Sequence, residues 1–371
     1  MGCRQVKSNM PKKLVHVVGN RPQFIKLAPF LRATDRIEGI RDIIIHSGQH
    51  YDFEMSRTFF DELNIPEPDY NLEVGSGSHA RQTGLVLERL EPLLLKEKPD
   101  MVIVYGDTNT TLAAALCAVK LHIPLAHVES GLREYVWRPE EINRKLSDHC
   151  ADLLFCPTQT AVDCIRKEGV DEERIKLTGD ITFDAFLWAI GLTAKKIDKP
   201  KSGDYALLTL HRAETVDHPD ILKEIVDSLL ELPDPIVFPI HPRTKKYLKQ
   251  YDLWERLSGR SDIDIIPAAG YLPFLKLVMD SKYVITDSGG VIKEAFYAKK
   301  PCIVIDSTTE YVEIEQSGSH FWAGKSKTDI LMAREAVDLV DVSRIHPEKV
   351  FGDGTAAEKM VSEVLLYLER S

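Results

Sequence analysis

The chain has 371 residues, of which 44% are hydrophobic, and its net charge is −10. That length is sufficient for two domains of ordinary size. Because no block of Lys or Arg offsets the excess of acids, nucleic acid and anionic membrane surfaces are disfavoured as partners. An anionic ligand would have to be held by a few cations placed locally.

The cysteines show no spacing of the kind that binds metals, and most of them lie in apolar segments. They are Cys3, Cys117, Cys150, Cys156, Cys164 and Cys302. We expect free thiols in a reducing cytoplasm. No apolar run reaches the roughly 18 residues of a membrane span, and no secretory signal is evident. We interpret residues 1–12 as a disordered polar leader outside the fold.

From residue 13 onward, short apolar runs alternate with segments of helical spacing, which predicts a parallel sheet covered by helices. The predicted strands are Leu14–Val18, Ile43–His46, Met101–Tyr105, Leu125–Val128 and Leu153–Cys156, and predicted helices include Arg81–Lys98 and Thr110–Lys120. We therefore interpret residues 13–190 as an N-terminal Rossmann-like domain.

Residues 191–204 are predicted to be a linker, because the stretch is rich in Lys, Pro, Ser and Gly. A second α/β series, assigned to residues 205–355, follows with predicted strands Tyr205–Leu210, Ile236–Ile240, Ile263–Ile266, Tyr283–Thr286 and Pro301–Ile305. Residues 356–371 are predicted to form a C-terminal helix. The fold class is α/β with two doubly wound, Rossmann-like domains, and we expect the main ligand site in the cleft between them.

Carboxylates follow two predicted strands of the first domain. Asp107 comes after Met101–Tyr105, and Glu129 comes after Leu125–Val128, while Glu140 lies further along the chain. Because ligands collect at the carboxyl ends of strands in an open α/β sheet, we expect these acids to face one crevice. Any one of them alone could equally be a helix cap.

The turn after the first predicted strand carries Arg21 and Lys26. Both cations could reach the crevice that the carboxylates line. Arg21 could instead be an ordinary surface charge.

In the second domain, Ser288, Gly289 and Gly290 join a predicted strand to a predicted helix. Free N–H groups of a first helical turn bind phosphate oxygens, although an ordinary cap with turn glycines would have the same pattern. The motif lacks both the Lys of a Walker loop and the G-x-G-x-x-G spacing, so neither NTP hydrolysis nor NAD binding is favoured. His211 and His241 follow two further strands, where each is either functional or a satisfied structural residue.

These motifs, taken in order, resemble the non-hydrolysing UDP-N-acetylglucosamine 2-epimerases over residues 13–368. The blocks that carry the resemblance are Gly19-Asn20-Arg21-Pro22-Gln23, Gly106-Asp107-Thr108, His127-Val128-Glu129-Ser130-Gly131-Leu132-Arg133, Pro139-Glu140-Glu141-Ile142-Asn143-Arg144, His211-Arg212-Ala213-Glu214 and Thr286-Asp287-Ser288-Gly289-Gly290. The resemblance implies a glycosyltransferase-B-like fold that binds a UDP-sugar. It also implies inversion at C2 by anti-elimination of UDP, through a 2-acetamidoglucal, and re-addition. The resemblance implies no metal or nicotinamide cofactor. We expect a homodimer.

The resemblance also implies roles for individual residues. The implied catalytic residues are Asp107, Glu129, Glu140 and His211; the implied substrate-binding residues are Arg21, Lys26, Phe274, Ser288, Gly289, Gly290 and Glu294; and a possible effector site comprises Gln49, His50 and His241. Because Ala213 stands where the common bacterial form has an Arg, we expect activation by a second UDP-sugar to be weak or absent.

The chain departs from the bacterial pattern at further positions. Asn20 and Gln23 replace Thr and Glu, and Tyr311 replaces a basic residue near the nucleotide. In having Tyr311, the chain resembles the branch of the family that acts on UDP-2,3-diacetamido-2,3-dideoxyglucuronate. This compound is therefore kept as an alternative substrate. A glycosyltransferase of the same fold and a catalytically silent UDP-sugar-binding protein are kept as alternatives from other classes.

Overall fold

The structure, a computed structural model, describes residues 11–48, 60–196 and 204–370. It divides into two compact units. The first contains the described residues up to Ala185 and those from Phe351 onward, and the second is Phe186–Val350.

The first unit is built on a seven-stranded parallel sheet. Its strands are β1 (Lys12–Val18), β2 (Ile40–His46), β3 (Tyr70–Asn71), β4 (Met101–Tyr105), β5 (Leu125–Val128), β6 (Leu153–Cys156) and β7 (Ile175–Leu177). Their order is β3-β2-β1-β4-β5-β6-β7. The direction of winding reverses between β1 and β4, and ligands of doubly wound sheets bind beyond the strand ends at such a point.

Helices connect these strands. They are α1 (Arg21–Thr34), α2 (His79–Glu97), α3 (Asn109–Lys120), α4 (Pro139–Cys150), α5 (Gln159–Lys167) and α6 (Ile181–Lys196). The side chain of Asn20 caps α1 by accepting a hydrogen bond from the N–H of Gln23, and Thr108 and Thr111 form a capping box at α3. Both helices begin within four residues of a strand end.

The second unit is built on a six-stranded parallel sheet in the order β10-β9-β8-β11-β12-β13. The strands are β8 (Ala206–Thr209), β9 (Ile236–Ile240), β10 (Ile263–Pro267), β11 (Tyr283–Thr286), β12 (Cys302–Val304) and β13 (His320–Trp322). The winding reverses between β8 and β11. His211 and Ser288 follow these two strands, so they lie at the reversal point.

The helices of the second unit are α7 (Ala213–Val216), α8 (Pro219–Leu229), α9 (Pro242–Gln250), α10 (Trp254–Ser258), α11 (Tyr271–Asp280), α12 (Gly289–Tyr297), α13 (Val312–Gln316), α14 (Lys327–Val337) and α15 (Pro347–Phe351). Two parallel sheets with alternating helices confirm the predicted fold class. Among the described residues, no helix is both long enough and apolar enough to cross a membrane. The five cysteines of these ranges are free thiols.

Two boundaries differ from those expected from the sequence. Strand β1 begins at Lys12, inside the stretch interpreted as a leader. Helix α6 continues to Lys196, and the division between the units falls within it, after Ala185, instead of in residues 191–204. Residues 197–203 of the predicted linker lie outside the described residues.

The last helix, α16 (Ala356–Arg370), belongs to the first unit and packs against α1. Just before this helix, the backbone of Phe351 lies close to Gly179. The φ of Gly179 is +89°, and an added Cβ there would lie 2.6 Å from the carbonyl oxygen of Phe351. Asp184 accepts a hydrogen bond of 2.8 Å from the N–H of Ala357 and so caps α16. Burial raises the pKa of Asp184 to about 6, although the N–H groups of Ala357 and Ala356 oppose the shift.

We predict that Asp184 makes the stability of the protein depend on pH. Because its folded-state pKa lies above its ordinary value of 3.8, its contribution to stability is present below that value and is lost as the pH rises through about 6. Asp184→Asn cannot titrate. The stability of the variant relative to wild type should therefore rise between acidic and neutral pH by up to about 3 kcal/mol, at about 1.36 kcal/mol per pKa unit.

The measurement is urea denaturation of both proteins across this pH range. Asp171→Asn, at an exposed position, is the matched control and should show no comparable trend. A stability difference for Asp184→Asn that stayed constant with pH would contradict the assignment.

Candidate active site

Gln23 joins the two strand ends at the reversal point of the first sheet. Its Oε1 accepts a hydrogen bond of 2.6 Å from the N–H of Gly19, and its Nε2 donates to the carbonyl of Tyr105 at 2.7 Å and to Thr111 Oγ1 at 3.0 Å. A carboxylate at this position could donate to the carbonyl only if it were protonated. Gln23, which departs from the bacterial pattern, therefore matches the donor and acceptor groups around it.

Glu129 follows β5 in a left-handed conformation, with φ of +68°. Its buried Oε2 is in direct contact with Lys26 Nζ. Gly106 makes room for this ion pair, because a Cβ there would lie 3.2 Å from Lys26 Nζ and 3.5 Å from Glu129 Oε2. The structure thus brings a predicted catalytic acid and a predicted substrate-binding cation together beside the end of β4.

A buried network lies behind Glu129. Asp148 Oδ1 is 2.7 Å from His127 Nδ1, while Asp148 Oδ2 is 2.8 Å from Arg133 Nη1 and accepts from the N–H of Gly131. His127 Nε2 lies 2.6 Å from the carbonyl oxygen of Gly106. Each ring nitrogen of His127 therefore faces an oxygen of the protein, one from a carboxylate and one from a carbonyl.

The surroundings of Asp148 favour its ionised form. Burial opposes ionisation of Asp148, but the hydrogen bond and charge of His127, together with Arg133, outweigh it and lower the pKa of Asp148. Arg133 also forms a bidentate pair with Glu168, at 2.8 and 2.7 Å. The His and Arg of the H-V-E-x-G-L-R block therefore fix the loop that carries Glu129.

Asp107 is held by residues of α4. Its Oδ2 lies 2.5 Å from Arg144 Nη2, and its carbonyl accepts from Asn143 Nδ2 at 2.9 Å. Arg144 also pairs with Glu141, at 3.1 Å. Glu140 lies in the first turn of the same helix and is exposed, whereas Glu141 is buried. The P-E-E-x-N-R block therefore divides into a buried anchor and an exposed carboxylate.

The remaining predicted residues of the first unit have different placements. Arg21 is the first residue of α1 and is half-buried. Gln49 and His50 of the possible effector site lie outside the described residues, so the structure does not place them.

The second unit presents the start of α12 at its reversal point. Ser288 is the N-cap residue, and its side chain makes no capping hydrogen bond. An added Cβ at Gly290 would meet nothing within 4 Å, while one at Gly289 would lie 3.4 Å from Glu310 Oε1 and 3.7 Å from Arg212 Nη2. The first turn of α12 therefore has space beside Gly290, and N–H groups of such a turn can bind an anion.

His211 lies on the neighbouring loop, with its Nδ1 3.2 Å from Asp287 Oδ1. Its ring centroid is 5.9 Å from that of His241, which caps α9. Asp287 is fully buried. Asp287 was assigned no role from the sequence, although its position directly after β11 could have indicated a functional role.

Phe274 and Glu294 lie on α11 and α12, where Phe274 is half-buried and Glu294 is buried. Tyr311 is buried with its ring centroid 4.9 Å from Lys293 Nζ, which is a cation–π contact. Across the described ranges, no cluster of three or more His, Cys, Asp or Glu side chains is arranged to hold a metal ion.

Comparison with known proteins identifies the family. A sequence model described as UDP-N-acetylglucosamine 2-epimerase matches residues 32–365. The UDP-N-acetylglucosamine 2-epimerase of Methanocaldococcus jannaschii is 43% identical over 96% of this chain and 99% of its own. The UDP-2,3-diacetamido-2,3-dideoxy-D-glucuronate 2-epimerase of Pseudomonas aeruginosa is 42% identical over 86% of this chain and 90% of its own.

Solved structures agree. The crystal structure of the M. jannaschii UDP-GlcNAc 2-epimerase in complex with UDP-GlcNAc and UDP has a TM-score of 0.88 at 42% identity, covering 96% of this chain and 99% of that one. The calicheamicin glycosyltransferase CalG4, at 13% identity and a TM-score of 0.57, shares the fold alone. The fold and the sequence matches define an epimerase, an enzyme of the isomerase class. The chain belongs to the UDP-N-acetylglucosamine 2-epimerase family.

We predict that Asp148→Asn strongly destabilises the protein, because it leaves a buried imidazole and a buried guanidinium without their shared carboxylate. Breaking a buried ion pair typically costs about 3–5 kcal/mol. The measurement is the free energy of unfolding in urea.

Glu168→Gln is the matched control, because it removes the other carboxylate of the same Arg133 from a site that is 24% exposed. Its cost should stay near about 1 kcal/mol, as for other partly exposed pairs. Equal stabilities of the two variants would contradict the central role of Asp148.

Proposed function

We propose that this protein is a non-hydrolysing 2-epimerase that interconverts UDP-N-acetylglucosamine and UDP-N-acetylmannosamine. The observation that carries the proposal is the pairing of Asp107 with Arg144 and of Glu129 with Lys26 at one sheet edge. Carboxylates held in separate, fixed positions suit a reaction that removes a proton from one face of a carbon and returns one to the other. Family membership supports the same conclusion.

In the proposed reaction, a carboxylate takes the proton from C2 while the bond between C1 and the diphosphate oxygen breaks. A C1–C2 double bond forms, which gives 2-acetamidoglucal and free UDP. A diphosphate oxygen then attacks C1, and an acid delivers a proton to the opposite face of C2. Asp107, Glu129 and Glu140 are the proposed proton-transfer and electrostatic groups.

The proposal assigns the diphosphate to the first turn of α12 and to His211. The N–H groups at Gly289 and Gly290 would contact the phosphate oxygens, and the positive end of the helix would stabilise the charge of the leaving group. Phe274, Glu294 and Arg21 are the proposed contacts to the rest of the nucleotide. Neither step requires a metal or nicotinamide.

A second substrate is favoured by one observation. A relative from Pseudomonas aeruginosa that is 42% identical to this chain is named for UDP-2,3-diacetamido-2,3-dideoxy-D-glucuronate. We also propose a homodimer, as the family resemblance implies. Analytical ultracentrifugation should then give twice the chain mass of 41.9 kDa.

Proton NMR in deuterated buffer tests the function. Incubation with UDP-N-acetylglucosamine alone should produce the manno isomer and introduce deuterium at C2, and a chelator should not change the rate. Turnover of only the diacetamido uronate would select the second substrate. Binding without exchange would identify a silent binding protein, and reaction only with an added acceptor would identify a glycosyltransferase.

We predict that Asp107→Asn, Glu129→Gln and Glu140→Gln each reduce kcat by roughly 10²–10⁴-fold, because each removes a charge or proton-transfer group with little change of volume. Steady-state assays measure the effect, and circular dichroism checks the fold. Glu88→Gln, an exposed carboxylate on α2, is the control and should keep wild-type turnover. Rates near wild type in all three variants would rule out the mechanism.

We predict that Gly290→Ala weakens UDP binding without unfolding the protein. The unliganded structure leaves open space for the new methyl group, so the loss should come from its intrusion where the diphosphate approaches the backbone. Titration calorimetry with UDP should show at least about a tenfold loss of affinity, or about 1.4 kcal/mol.

Gly84→Ala in α2 is the matched control, because an added Cβ there also meets nothing within 4 Å. It should retain UDP affinity and gain roughly 0.5–1 kcal/mol of helix stability. Unchanged UDP affinity in Gly290→Ala would place the diphosphate elsewhere.

A further inference from the structure

Asp287 collects N–H groups from the loop after β8. Its carboxylate accepts from the N–H of His211, at 3.1 and 3.0 Å, and from the N–H of Arg212, at 2.9 Å, while His211 Nδ1 lies 3.2 Å away. The side chain does not cap α12, since Ser288 occupies the N-cap position. Asp287 therefore contacts a histidine that follows a different strand, β8, and does not cap helix α12.

This geometry determines which ring nitrogen of His211 is available to a ligand. Nδ1 faces the carboxylate of Asp287, whereas the His211 side chain as a whole is 43% exposed. Nε2 is consequently the nitrogen that a ligand can reach. The ring centroid of His241 lies 5.9 Å from that of His211, and the guanidinium of the next residue, Arg212, pairs with Asp306 at 2.5 Å.

The electrostatics of the pair are consistent with a charged ring. Burial opposes ionisation of Asp287, but the hydrogen bond and charge of His211 outweigh it and lower the pKa of Asp287. An ionised, fully buried carboxylate stabilises the imidazolium form of a histidine in contact with it.

We propose that Asp287 is a positioning residue that holds His211 as an imidazolium with Nδ1–H donated to Asp287 and Nε2–H directed at the leaving diphosphate. The inference rests on the proposed function and adds the origin of the histidine's charge and orientation. As the bond between C1 and oxygen breaks, negative charge grows on the diphosphate, and a charge-assisted Nε2–H hydrogen bond stabilises it. The same donor holds the diphosphate ready for re-addition, so His211 need not lose its proton in either direction.

The test is a double-mutant cycle of Asp287→Asn and His211→Gln, with kcat measured as a function of pH. Asn can still accept from the backbone N–H groups but lacks the negative charge. Asp287→Asn should lower kcat by roughly 10–100-fold, the range expected for loss of a charge-assisted hydrogen bond. Its activity should also fall at lower pH on the alkaline side than that of wild type, and it should cost nothing further in the His211→Gln background.

A purely structural role for Asp287 would give a different result. It would lower the rate equally at every pH and would add its full cost to that of His211→Gln. Either observation would overturn the proposal.

Two measurements keep the inference testable without turnover. Nitrogen-15 NMR of the wild-type His211 ring, assigned by its loss in His211→Gln, should show a protonated Nδ1. Calorimetry with UDP as the probe should show an affinity that declines with rising pH, and Asp287→Asn should move that decline to lower pH. If wild type did not epimerise any sugar, these results would still decide the role of Asp287, and an unprotonated Nδ1 would refute it.

Discussion

The buried carboxylate of Asp148 is the interaction on which the candidate site of the first unit depends. It joins the imidazole of His127 and the guanidinium of Arg133 and accepts the N–H of Gly131. These contacts lie on both sides of Glu129, which has a left-handed backbone that a non-glycine residue adopts only when its surroundings impose it. The carboxylate proposed for proton transfer is thereby held in place by groups that have no need to touch a substrate.

The second unit also has a buried carboxylate in contact with a histidine, but this histidine is partly exposed. Asp287, like Asp148, is a fully buried carboxylate that contacts one imidazole and collects backbone N–H groups at a strand end. His127 is buried and both of its ring nitrogens face protein oxygens, so it can only be structural. His211 is 43% exposed and has one nitrogen facing the carboxylate, which leaves the other for chemistry.

The sequence predicts the central strands well, because β4 and its neighbours are covered on both faces and appear as continuous apolar runs. Strands β3, β7 and β13 were not predicted, since two or three residues with partly exposed side chains carry no period. The signal for a linker at 191–204 was compositional, and α6 continues to Lys196 through part of it.

From the sequence, only those residues of the candidate site that lie at strand ends could be predicted. Sequence position placed Asp107, Glu129 and His211 correctly at those ends, but their partners come from distant segments: Arg144 is 37 residues from Asp107 and Asp287 is 76 residues from His211. Glu140 and Glu141 show the limit most directly. They are adjacent and chemically identical, yet the turn of α4 buries Glu141 against Arg144 and leaves Glu140 exposed. Which carboxylate anchors the helix and which is available to a substrate is therefore decided by the direction that each residue takes from the helix axis, and that direction is fixed only once α4 has packed.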